Sequence, residues 1–107
     1  MNPKPDKQPT FDQNGYPTEE TLKTISYWPT EYPDELLQYV IDAWNQKFGK
    51  VTILKNKVKL ATGGWSGNES LLMMLKNNRE FWNLCWESSH RGGLTVFRRW
   101  KTQPKKP

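Results

Sequence analysis

Thr62-Gly63-Gly64-Trp65-Ser66-Gly67-Asn68-Glu69 is the stretch on which the reading of the fold turns. Before it, residues 51–62 carry the two-residue period of strands. Val51 and Ile53 flank Thr52, and Val58 and Leu60 alternate with Lys57 and Lys59. Lys55-Asn56-Lys57 supplies a turn between them. After the stretch, Ser70-Leu71-Leu72-Met73-Met74-Leu75-Lys76 is the most apolar helix-like run in the chain. Ser66-x-x-Glu69 matches a capping box, in which Ser66 accepts from the Glu69 amide and Glu69 reaches back to the Ser66 amide. The corner is therefore expected to turn a β-hairpin into a central helix.

Working outward, Asn14-Gly15 is a turn signal and Thr18 is a helix cap followed by Glu19 and Glu20. Leu22, Ile25 and Trp28 make one apolar stripe, and Pro29 ends that helix. Asp34 is expected to cap a second helix over about residues 35–48. Its buried face would be Leu36, Leu37, Val40, Ile41, Trp44 and Phe48, with Gly49 as the stop. Beyond the central helix, residues 81–88 fit two periods. Trp82, Leu84 and Trp86 alternate as in a strand, while Phe81, Cys85 and Ser88 suit a helix. The strand is preferred, because Ser89-His90-Arg91-Gly92-Gly93 reads as a hairpin loop and residues 94–100 are rich in β-formers.

The expected fold is α+β: a small antiparallel sheet of two hairpins packed against about three helices. Residues 1–13 read as a flexible arm, 14–100 as a single globular domain and 101–107 as a basic flexible tail. A chain of 107 residues suits one core, and six tryptophans, four tyrosines and four phenylalanines enlarge what each apolar residue buries. Leu71 to Leu75 is the longest apolar run, so neither a membrane helix nor a signal peptide is expected. Cys85 is the only cysteine, which excludes an internal disulfide and fits a core position in a reducing cytosol.

Charge is polarised along the chain. Residues 11–46 hold seven acids and one base, whereas residues 47–61 hold five lysines and no acid. Arg98, Arg99, Lys101, Lys105 and Lys106 make the C-terminus basic. Such asymmetry steers encounters without naming a partner.

Catalytic patterns are thin. Gly64-Trp65-Ser66-Gly67-Asn68 approaches the nucleophile elbow G-x-S-x-G, but Asn68 stands where the second glycine belongs. His90 is the sole histidine and would have to reach Ser66. One cysteine and one histidine do not make a zinc site, and no Gly-Lys-Ser/Thr follows the glycines. A non-enzymatic chain without metal or cofactor is expected.

Binding has more support. Trp28, Trp44, Trp82 and Trp86 lie on apolar stripes and read as core, which leaves Trp65 and Trp100 as exposed aromatics. Arg91, beside His90 and two glycines, stands on a hairpin tip as a free cation. Glu31, Asp34, Glu35 and Asp42 form an acidic outer side, either a solvated face or a contact surface resembling nucleic-acid phosphate. The leading expectation is a protein-binding module using Trp65, His90, Arg91, Trp100 and these acids. The alternative is a nucleic-acid-binding accessory protein using Lys55, Lys57, Lys59, Arg98, Arg99 and Lys101.

Gly63-Gly64-Trp65-Ser66-Gly67-Asn68-Glu69, Phe81-Trp82, Cys85-Trp86-Glu87-Ser88-Ser89 and Arg91-Gly92-Gly93, with Tyr16-Pro17-Thr18-Glu19-Glu20-Thr21-Leu22, resemble a family of small uncharacterised proteins encoded by bacteriophages and prophages. The resemblance spans about residues 15–98 and departs at His90, which replaces a second basic residue before Arg91. It implies the cytoplasm of an infected bacterium. The family carries no function to transfer, but small phage proteins without catalytic residues often bind a host enzyme or defence complex, so the expected partner is a host protein or complex, such as a CRISPR effector, another nuclease or another host enzyme, which the chain would inhibit.

Overall fold

The computed structural model describes residues 3–100. In order, the elements are α1 (Glu19–Ser26), α2 (Pro33–Ala43), β1 (Lys50–Ile53), β2 (Lys57–Ala61), α3 (Ser66–Asn77), α4 (Arg79–Cys85), β3 (Trp86–His90) and β4 (Leu94–Arg98). The fold is α+β, with four helices on one antiparallel sheet of strand order β1-β2-β4-β3. The two hairpins meet along β2 and β4, in register from Lys57↔Arg98 to Ala61↔Leu94. Val58, Leu60 and Phe97 point from the sheet into the helices, where they are buried with Ile25, Leu36, Val40, Leu71 and Leu75. An antiparallel sheet needs cover on only one face. Residues 101–107, read above as a basic tail, and with them Lys101, lie outside the described residues.

α1 starts as its sequence predicts: Thr18 Oγ1 accepts from the Thr21 amide at 3.3 Å. The chain before it is bound earlier than expected. The Thr10 amide donates to Thr21 Oγ1 at 2.8 Å, Thr21 Oγ1 donates back to the Thr10 carbonyl at 3.1 Å, and Phe11 bridges to Pro17. Nearer the N-terminus, Lys7 Nζ lies 3.5 Å from Glu20 on α1.

The second helix is shorter than predicted. Pro33, not Glu35, is its first residue, and it stops at Ala43 because Trp44 turns extended (φ −71°, ψ 132°). Two bonds hold that stop: the Trp44 indole donates to the Ala61 carbonyl at 3.0 Å, and the Asn45 amide donates to Asn68 Oδ1 at 2.9 Å. Phe48 consequently leaves the helix face and is 54% exposed.

The expected strand over residues 81–88 is a helix followed by a strand. Asn78 decides this: its Oδ1 accepts from the Phe81 amide at 3.2 Å, while its Nδ2 donates to the carbonyls of Ile25 (3.0 Å) and Trp28 (3.2 Å). One buried side chain thus closes α1 and starts α4. Phe81 and Cys85, four apart, are buried on the same face of α4. Leu84 and Trp86, from the alternating set, are 39% and 41% exposed. Trp86 is accordingly not a core residue.

Candidate functional site

The corner itself differs from the expected capping box. Trp65 is the N-cap of α3, and no side chain caps the helix. Ser66 Oγ donates instead to Tyr16 Oη at 3.3 Å. The internal support comes from Asn68, fully buried, whose Nδ2 donates to the carbonyls of Asn45 (3.1 Å) and Thr62 (3.3 Å). Gly63 takes a left-handed φ of +66°, and a Cβ there would fall 1.7 Å from the Phe48 carbonyl oxygen. Glycine is therefore required for the backbone of the corner to lie against residue 48.

That approach assembles a surface stack of three aromatic rings from three chain segments. Trp65 lies between Phe48 (centroids 5.3 Å apart, planes at 19°) and Tyr16 (4.7 Å, 34°). The Trp65 ring rests on Gly67, where an added Cβ would lie 2.2 Å from the indole. Tyr16 is fixed by bonds to Asp12 at both backbone groups, 3.0 Å to the carboxylate and 2.8 Å from the amide. Phe48 and Tyr16 keep 54% and 38% of their surface exposed. Each ring pair is worth about 0.5–1.5 kcal/mol beyond area burial, so the stack is held in place although it faces solvent. Pre-ordered aromatic groups of this kind lose little entropy on contact with a partner.

The last hairpin comes alongside. The Thr62 amide donates to the Gly93 carbonyl at 3.1 Å, which seats the β3–β4 tip against the corner and leaves Arg91 exposed on it. His90 does not meet Ser66: its Nε2 is 2.9 Å from Ser88 Oγ, and Ser66 is bonded to Tyr16. The pairing required of an elbow nucleophile is thus replaced by two separate hydrogen bonds.

A second surface is the sheet face turned away from the helices. Since Val58 and Leu60 point inward, the register places Lys50, Thr52, Lys57 and Lys59 outward on β1 and β2. It likewise places Leu94, Val96 and Arg98, with Ser88 and His90, outward on β4 and β3. Glu87, at the irregularity between Trp86 and Ser88, reaches this side and lies 3.4 Å from both Lys57 Nζ and Arg98 Nε. Val96 at the centre is only 6% exposed and is not part of the main core cluster. Its register neighbours include Lys59 and Ser88, and long cationic stems cover such positions while keeping their charge in water.

The other candidate residues are dispersed. Trp100, 42% exposed, donates its indole N–H to the Leu84 carbonyl at 3.3 Å and its amide to Asp34 Oδ1 at 2.8 Å, and the Arg98 guanidinium lies 5.1 Å from its ring. Asp34 therefore serves Trp100 rather than an acidic patch. Asp42 accepts from Gln38 at 2.8 Å. Glu35 is half-buried, and its Oε1 is enclosed without a hydrogen-bond partner near a crevice of about 220 Å³ that residues 4–8 help to line. Glu31 is exposed at the approach to α2. Lys55 is exposed at the β1–β2 turn. Arg99 clasps that turn, donating from its amide to Asn56 (2.8 Å) and from Nη1 to Leu54 (2.9 Å).

Burial pushes the Cys85 thiol up to about 12, and the Asp34 charge adds to this; a hydrogen bond with Trp100 and the charge of Arg98 oppose it. A neutral, enclosed thiol is a packing group, not a nucleophile. Among the described residues no three His, Cys, Asp or Glu side chains gather as metal ligands, and no helix is long and apolar enough to cross a membrane.

Tyr16 and Phe48 were the residues missed from sequence. Tyr16 sits in a turn, and Phe48 continues the apolar spacing of α2. Only the polar break at Asn45-Gln46-Lys47 hinted that the helix had ended. No family model, curated protein or solved structure matches this chain.

Proposed function

We propose that this chain is a non-enzymatic protein-binding module whose contact surface is centred on Trp65, with Phe48 and Tyr16 beside it and Arg91 on the neighbouring hairpin tip. The observation that carries this reading is the three-ring stack, in which Tyr16 and Phe48 are exposed and Trp65, expected to be exposed, is half-buried between them. Aromatic and arginine side chains dominate the energetics of protein interfaces. The phage resemblance directs the search for the partner to host proteins of an infected bacterium, including defence nucleases and CRISPR effectors, with inhibition as the outcome.

The test is affinity capture from bacterial lysate with wild type, Trp65→Ala, Arg91→Ala and, as a control on exposed α1, Lys23→Ala. Wild type and Lys23→Ala should retain one protein in stoichiometric amount, and Trp65→Ala and Arg91→Ala should lose it. Equal retention by all four would refute the assigned surface.

A further inference from the structure

We infer that the open face of the sheet binds a single nucleic-acid strand through its phosphates. This surface is separate from the aromatic stack, and four cations (Lys50, Lys57, Lys59 and Arg98) share it with one carboxylate, Glu87. Between the cations the register places Ala61, Val96 and Leu94 on the same face. Lys57 and Lys59 recur about 7 Å apart along β2, and Arg98 stands directly opposite Lys57, one strand spacing of about 4.8 Å away. An extended sugar–phosphate chain presents one charge per repeat on this scale. Thr52, Ser88 and His90 add hydrogen-bonding groups at the margins.

A single strand fits better than a duplex. The face is flat and projects no helix or ribbon that could enter a groove. At its Arg98 end stands one partly exposed indole, Trp100, beside the Arg98 guanidinium, whereas Trp86 lies on the Phe97 side of the sheet and stacks on Trp82.

Glu87 supplies the sharpest test, because it holds two of the four cations. Binding of the full-length chain to a labelled, mixed-sequence single-stranded oligonucleotide is read by fluorescence anisotropy at low and moderate salt. Wild type should bind, with affinity falling as salt rises. Paired reversal, Lys59→Glu with Arg98→Glu, should weaken binding at least about tenfold, and Lys23→Glu on α1 should not. Glu87→Gln should tighten binding several-fold, and Glu20→Gln, removing an equal charge on α1, should not. Circular dichroism checks that the Glu87→Gln and Glu20→Gln variants are folded, so this pair remains decisive if the reversal variant unfolds. The inference is overturned by no binding at low salt, by Glu87→Gln behaving as Glu20→Gln does, or by a folded reversal variant matching wild type. Competition by duplex or polyglutamate equal to that by the single strand also overturns it.

Discussion

Asn68 holds both backbone polar groups of Asn45: its Oδ1 accepts the Asn45 amide at 2.9 Å and its Nδ2 donates to the Asn45 carbonyl at 3.1 Å. The first residue after the extended Trp44 turn is thereby fastened to the first turn of α3. Nδ2 also reaches the Thr62 carbonyl, so one side chain ties three segments. Asn68→Ala leaves these buried groups without that partner, and a loss of about 3 kcal/mol in unfolding free energy is expected. Asn68→Asp keeps an acceptor but cannot donate while ionised. It should be at least as damaging at neutral pH and partly recover as acid protonates it. Urea titrations across pH measure both.

Gly67→Ala separates helix stability from the aromatic stack. Alanine favours a helix over glycine by roughly 0.5–1 kcal/mol, but its Cβ would lie 2.2 Å from the Trp65 ring. The ring must move. Helical circular dichroism should be retained, tryptophan emission should shift to longer wavelength, and partner capture should fall as it does in Trp65→Ala.

Phe48 and Leu71 should respond in opposite ways to truncation. Leu71 is fully buried, so Leu71→Ala is expected to cost about 2–5 kcal/mol in chemical denaturation. Phe48 is 54% exposed, and Phe48→Ala should cost about 1 kcal/mol or less, the scale of the ring contact it loses. The same Phe48→Ala substitution should weaken partner capture.

The Cys85 thiol links stability to alkaline pH. Its ordinary value of 9.0 is raised to about 12 on folding. The folded chain therefore keeps a proton that the unfolded chain loses. The stabilisation is complete below pH 9 and is lost as pH rises towards 12, with a limiting slope of about 1.4 kcal/mol per pH unit. Other groups titrate in this range, so the measurement is the difference between wild type and Cys85→Ala. A thiol reagent should react with the native chain only as fast as it unfolds.

The elements legible from sequence are those with one unambiguous period. Val58 and Leu60 against Lys57 and Lys59 identified β2, and Thr18 marked the start of α1. Residues 81–88 carried two periods at once. The choice between them rests on bonds from Asn78 to Ile25 and Trp28, about fifty residues away, for which local spacing holds no signal. The aromatic stack was half-legible for a similar reason. Trp65 stood out among glycines, whereas Phe48 was masked by helical spacing that continued past the end of α2. The outward lysines were read correctly on β2, but the counter-charge of Glu87 depended on a strand pairing that the sequence does not state.

Asn78 also carries a consequence for the order of assembly. α4 has seven residues, too few to persist in water alone. Its start is capped by a side chain whose other arm is anchored to Ile25 and Trp28. The cap is oriented only once the N-terminal helix has docked. α4 and the end of α1 should therefore unfold as one cooperative unit despite their distance in sequence, and their amides are expected to show a common protection against hydrogen exchange.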